Sequence, residues 1–158
     1  MKRLEYTQLS ASAAQAMMAL SKAVEGLDVD VKLRELVKIR VSQLNGCLFC
    51  LDMHVKESRL HGDRELRLHH LAVWHESPLF TETEKAALEW AELLTRFDPR
   101  GVSDEAYQRA LRHFSEKQLS DLTFVVLNIN AWNRLGVAFR ATPGAYDRLY
   151  GLDRAGLE

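Results

Sequence analysis

The sequence is poor in the residues that interrupt helices and in those that staple small folds. It has three prolines and eight glycines in 158 residues. They are expected to fall between periodic segments, and no strict apolar–polar alternation persists, which leaves the helix as the repeated element. Two cysteines are too few for a disulfide framework. A chain of this size buries roughly 70% of its unfolded surface, so it needs neither bridges nor a metal in order to fold. There is no excess of one charge: Lys and Arg number 21, Asp and Glu 22, and the formal net charge is -1. That excludes the basic domain a nucleic-acid partner would require. No apolar run approaches the ~18 residues of a membrane span, so no membrane partner is expected.

What remains is ordinary for a soluble globular protein, with 47% hydrophobic and 27% charged residues, and the length fits one domain over 1–158. The start, "MKRLEYTQLSASAAQAMMAL", is basic and then alanine-rich. Glu5, Gln8 and Gln15 interrupt the unbroken apolar stretch of about 7–15 residues that a signal peptide needs. It reads as an amphipathic first helix of a cytoplasmic protein. The expected helices run from Ser10 or Ser12 to Glu25, closed by Gly26, and from Asp30 to Leu44, stopped by Asn45-Gly46. A third begins at Gly46–Cys47 and ends at Gly62. Asp63 caps a fourth that reaches His75. Thr81 with Glu84 and Ser115 with Gln118 form capping boxes for the fifth and seventh, the seventh running to Arg140, and Ser103 caps a short sixth. The second and seventh carry apolar residues nearly all round and are expected to be covered on most sides.

The only cysteines, Cys47 and Cys50, lie in "NGCLFCLDMHVKESRLHG". At about 100° per residue, Cys47, Cys50, His54, Ser58 and His61 fall on one helix face, with neighbours in the row about 5–6 Å apart at Cβ. Both cysteines sit at a helix start, where unpaired N–H groups and the helix dipole favour a thiolate. An imidazole one turn on can take the thiol proton. The arrangement suits a thiol pair that opens and closes a short disulfide. Two other readings of the same spacing are plain packing of small buried hydrophobes and a zinc-stabilised structural protein. Zinc wants four tetrahedral ligands, whereas Cys47, Cys50 and His54 lie on one stripe, no second C-x-x-C exists, and His61 is three to four turns from Cys47.

The longer string "ELVKIRVSQLNGCLFCLDMHVKESRLHG" resembles the core of the AhpD-like branch of the carboxymuconolactone decarboxylase superfamily: a glutamate, eleven residues, then C-x-x-C-x-x-x-H. These are Glu35, Cys47, Cys50 and His54, with Ser58 and Gly62 matching the family's later small residue and glycine. "NINAWNRLGVAFR" resembles the family's last core helix, so the likeness spans about 31–140. The resemblance implies an all-α bundle of six to seven helices and a thiol-dependent peroxidase without metal, haem or flavin. It implies Cys50 as the peroxidatic thiol, Cys47 as the resolving thiol, His54 as the proton acceptor of Cys50, and Glu35 in the proton relay. It also implies a hydroperoxide substrate, an external dithiol reductant such as a lipoylated protein, and a homo-oligomer, a hexamer built as a trimer of dimers. Some members carry a histidine just before the second cysteine. Phe49 stands there and passes no protons, so the relay rests on Glu35 and His54. A non-enzymatic redox sensor using the same pair is the alternative of another class.

Other features read more simply. From periodicity alone, Glu35 pairs with Arg34 or Lys38 on a solvated face. His69, His70 and His75 are surface histidines. "HVKESRLHGDRELRLHH" is a solvated, mixed-charge surface. Asn128, Asn130 and Asn133 are poor helix formers in an apolar helix and are expected to hydrogen-bond in the core or across a subunit boundary. Trp74, Leu79, Phe80, Trp90, Phe97 and Phe124 are more than a few short helices are expected to hide.

Overall fold

The computed structural model describes residues 2–157, and among them there are helices and no strands. The helices are α1 (Tyr6–Leu9), α2 (Ala11–Glu25), α3 (Val31–Asn45), α4 (Leu48–Leu60), α5 (Glu65–His70), α6 (Glu82–Thr95), α7 (Asp104–Leu111), α8 (Glu116–Phe139) and α9 (Asp147–Tyr150). Short 3-10 segments cover Leu71–Glu76 and Leu152–Ala155. No helix among the described residues is long and apolar enough to cross a membrane.

Local chemistry sets most of these boundaries. Asp30 caps α3 by accepting from the backbone N–H of Lys32 and Leu33 at 3.0 and 3.1 Å. Thr81 with Glu84 and Ser115 with Gln118 close both expected capping boxes, and Ser103 caps α7. Each box satisfies two N–H groups that the first turn leaves unpaired. Asp63 is not the cap of α5. Arg64 holds that place, while Asp63 Oδ1 accepts from Arg67 Nε and from the Arg64 backbone N–H, both at 2.8 Å. Asp63 thus stands one residue before the cap and ties the chain entering α5 to its first turn. The expected fourth helix breaks in two, with the 3-10 segment kinked at Val73.

α3 lies at the centre, packed against α4, α6 and α8. Its two flanks feed two apolar clusters. Val37 and Val41 join Ala87, Ala91, Leu122, Val125, Ile129 and both cysteines. Leu36 and Ile39 join Leu71, Trp74, Phe80 and Leu88. Each large apolar side chain so buried contributes roughly 1.5–3 kcal/mol. Trp74, Phe80 and Trp90 are thus hidden within one chain, while Phe97 and Phe124 stay exposed.

Polar contacts fix α8 on α3. Asn45 Nδ2 donates to Asn130 Oδ1 and Asn133 Oδ1, both at 2.9 Å, and Asn133 donates to Ser42 Oγ at 3.1 Å. Asn128 donates to Ser21 Oγ at 3.1 Å and Trp132 Nε1 to the same oxygen at 2.8 Å. The asparagines therefore serve the core of this chain.

After α8 the chain turns at Arg140, which takes a left-handed conformation (φ 53°). Residues 141–157 then fold back over α4. Gly144 N–H donates to Asp52 at 3.1 Å, and Lys56 bridges Asp52 and Asp147 at 2.8 and 2.6 Å. The stretch expected to be solvated surface thus holds a buried lysine, a buried histidine and the buried Ser58 and Asp63. Each charge has a partner, which is what makes its burial tolerable.

Candidate functional site

The α3–α4 junction builds the site. Gly46 has φ 67° and ends α3, its N–H bonding to Gln43 O and Ser42 O. That left-handed conformation suits glycine and turns the chain within one residue. Cys47 N–H then donates to Ser42 O at 3.0 Å. Cys47 is consequently the N-cap of α4 and stands just outside its first turn. Its sulfur occupies the place usually taken by a Ser or Asp oxygen and accepts from Cys50 N–H at 3.4 Å.

Cys47 and Cys50 are joined as a disulfide with Cα atoms 5.4 Å apart. Both are buried, 2% and 3% exposed. α8 lies on the sulfurs through Gly136, where a Cβ would come within 2.7 Å of Cys47 Sγ and 3.4 Å of Cys50 Sγ. The expectation that glycines fall between helices fails here. Gly136 is inside α8 because only a missing side chain lets the helix approach the pair so closely.

One turn beyond Cys50, His54 is also buried, and its Nδ1 lies 2.9 Å from Glu35 Oε2 and 2.6 Å from Glu57 Oε2. Glu35 is not on a solvated face: its side chain is 2% exposed. It does meet the partners expected from periodicity, Lys38 at 3.0 Å and Arg34 at 3.6 Å. Burial alone would raise the Glu35 pKa, but the charge and hydrogen bond of His54, with Lys38 beside them, hold it well below the carboxylate range. Burial alone would lower the His54 pKa. The negative charge of Glu35 and the hydrogen bonds to Glu35 and Glu57 prevail and raise it. Each of the two groups thus favours the charged form of the other.

Of the expected row, Cys47, Cys50, His54 and Ser58 are buried together, whereas His61 is an exposed C-cap residue. Glu35, His54 and Glu57 offer one imidazole nitrogen and two carboxylate oxygens within 4.8 Å of one another. The Lys38 ammonium and the Arg34 guanidinium already neutralise Glu35, so this donor set is better matched to a proton than to a metal. Sequence reasoning missed Gly136 and Glu57. A glycine in a long apolar helix, which costs about 1 kcal/mol relative to alanine, was the signal for the first. The three-residue step from His54 was the signal for the second.

The sequence profile of the carboxymuconolactone decarboxylase family matches residues 11–93. The chain is 39% identical over 137 residues to the uncharacterised protein YdfG of Bacillus subtilis (strain 168), covering 87% of this chain and 93% of that protein. Among solved structures it resembles ATU0492 from Agrobacterium tumefaciens, a protein of unknown function described as a candidate antioxidant defence protein AhpD. The TM-score is 0.87 at 38% identity, covering 92% of this chain and 99% of the other. A peroxidase-related protein from Ralstonia eutropha JMP134, described as an alkylhydroperoxidase AhpD core, shares the fold. Its TM-score is 0.78 at 18% identity, with 88% of this chain and 74% of the other covered.

Proposed function

We propose that the chain, which belongs to the carboxymuconolactone decarboxylase family, is a thiol-dependent peroxidase of the AhpD kind that works through Cys47 and Cys50. The observation that carries the reading is the buried disulfide at the start of α4, with a hydrogen-bonded His54–Glu35 pair one turn further on. Cys50 is the nucleophile, because His54 follows it by one helical turn and takes its proton. The Cys50 thiolate attacks a hydroperoxide, the O–O bond breaks, and the products are a Cys50 sulfenic acid and an alkoxide that leaves protonated. The Cys47 thiolate then attacks the sulfenic sulfur, expels hydroxide and forms the disulfide. Cys47 suits the resolving role: its sulfur is the N-cap acceptor of α4, and α8 packs closer to it than to Cys50. Glu35 holds His54 in place and stabilises the imidazolium that forms when the neutral ring takes the Cys50 proton.

An external dithiol resets the pair, and a lipoyl group on another protein has the required chemistry. Homo-oligomer formation belongs to the same proposal. Leu48, Phe124, Leu127 and Val137 are exposed apolar residues around the redox helix and along α8, and a second copy gives them a surface to bury against.

The test is a thiol count on reduced protein after one equivalent of an alkyl hydroperoxide, with a sulfenic-acid trap used on Cys47→Ser. Loss of both thiols in the wild type and a trapped adduct at Cys50 are expected. Adducts at Cys47 of Cys50→Ser, with none at Cys50 of Cys47→Ser, would reverse the roles. Oxidation that never turns over with any dithiol would make the chain a redox sensor instead.

A further inference from the structure

Buried redox chemistry needs a route for its protons. When a dithiol reduces the Cys47–Cys50 disulfide, one thiolate of the reductant attacks a cysteine sulfur and the S–S bond breaks. The second thiolate then closes the reductant's own disulfide. Two electrons pass to the cysteine pair, and two protons lost by the dithiol are matched by two gained on Cys47 and Cys50. The two residues are 2% and 3% exposed, so water cannot reach them freely.

His54 branches two ways from Nδ1. Toward α3 it meets Glu35, whose side chain is 2% exposed and whose other oxygen faces Lys38 and, more distantly, Arg34. An ammonium and a guanidinium have no lone pair with which to accept a proton, so that branch cannot carry protons outward. Toward the end of α4 it meets Glu57 at 2.6 Å. The Glu57 side chain is 30% exposed, against 11% for His54, and among the described residues its carboxylate has no hydrogen-bond partner besides His54. Exposure therefore rises from Glu35 through His54 to Glu57, and only the last of the three is in open contact with solvent.

We propose that Glu57 is the solvent-side proton port of this redox site, exchanging protons between water and the His54 imidazole while Glu35 anchors the same ring. The role rests on the redox reading of the cysteine pair, and Glu57 acts through His54. In the reducing direction Glu57 takes a proton from water and passes it to Nδ1 of a neutral ring whose own proton is on Nε2. The imidazolium so formed releases the Nε2 proton, from an atom that no hydrogen bond engages among the described residues, and the ring is left with its proton on Nδ1. In the oxidising direction that form accepts a proton at Nε2 and hands the Nδ1 proton to Glu57, which restores the starting form. Phe49, beside Cys50, offers no relay group of its own.

The experiment is single-turnover reduction of the disulfide in the intact protein by dihydrolipoamide in dilute buffer, comparing wild type, Glu57→Gln, Glu57→Asp and Glu35→Gln. Glu57→Gln is expected to slow reduction by about 10²-fold, the lower end of what a positioned acid–base group supplies. Added imidazole is expected to restore most of the rate, because a small buffer can stand in for the missing carboxylate. Glu57→Asp should keep part of the rate, and Glu35→Gln should be slow with no response to imidazole. Reduction of Glu57→Gln at the wild-type rate, or a slow rate that imidazole leaves unchanged, would overturn the proposal. The assay uses no peroxide. If the wild type fails to consume hydroperoxides the peroxidase reading falls, and the imidazole response still decides the role of Glu57.

Discussion

Replacing Gly136 by alanine puts a methyl group where the structure has least room for one. The new Cβ would lie 2.7 Å from Cys47 Sγ and 3.4 Å from Cys50 Sγ. Carbon and its neighbours prefer about 3.5–4.0 Å, so the contact with Cys47 is short by roughly 1 Å. The surroundings cannot yield easily. α8 is tied to α3 by Asn133 and Asn130, and Cys47 is held between the disulfide and its own backbone hydrogen bond to Ser42. Overpacking of this kind costs about 1–3 kcal/mol. Alanine returns about 0.8–1.0 kcal/mol of helix propensity over glycine. The net expected loss for the disulfide form is therefore about 0–2 kcal/mol, or a Tm fall of up to about 4–8 °C at this chain length. Gly26→Ala is the control, since its Cβ meets only Ala23 O at 3.5 Å, an ordinary contact. Urea unfolding of both oxidised variants measures the difference. The site also predicts slower disulfide reduction in Gly136→Ala, because the leaving sulfur must move past the new methyl. A Gly136→Ala protein more stable than wild type, and reduced as fast, would refute the close-packing argument.

Glu35→Gln and His54→Gln should keep the helical circular dichroism of the wild type and lose about 10²–10⁴-fold in peroxide turnover; unchanged turnover in both would reduce these residues to scaffolding. Stability should also vary with pH through the same pair. His54 has a raised folded pKa, so its contribution is complete below the ordinary 6.5 and is lost as pH rises through the folded value. Glu35 has a lowered one, so its contribution is present above the ordinary 4.5 and is lost as pH falls through the folded value. The stability difference between wild type and His54→Gln should therefore be largest between those two ordinary values, and a difference that stays flat across that window and beyond it on both sides would contradict the ion pair. Light scattering after size exclusion should show an oligomer built on a dimer, with a trimer of dimers expected, whereas a fully active monomer at micromolar concentration would remove the need for a second copy.

Legibility in the sequence followed the range of the interaction. Capping boxes at Thr81 and Ser115 involve residues three apart, and both could be read directly. So could the Asn45-Gly46 stop and the Cys47–Cys50–His54 row that depends on it. The burial of Lys56 could not, because one of its partners, Asp147, lies 91 residues away. Asp63 lies one residue before the actual cap, Arg64, and bonds both the Arg64 N–H and Arg67, an offset of one residue that spacing does not settle. The short α9 rests on a few residues docked against α4 and has too little periodicity of its own to announce itself. Gly136 and Glu57 matter through what other helices bring to them. The sequence motif supplied Glu35, but only the fold turned an ordinary i,i+3 partner of Lys38 into a buried anion facing His54.

The central claim is that Cys50, assisted by His54, reduces hydroperoxides and is reset through Cys47. Steady-state consumption of an alkyl hydroperoxide with a panel of dithiols, wild type against Cys50→Ser, tests it most directly. The account predicts turnover by the wild type with at least one dithiol, a lipoyl-type dithiol foremost, and none above the uncatalysed rate for Cys50→Ser. Equal turnover by the two proteins, or no turnover by the wild type with any dithiol, would contradict it.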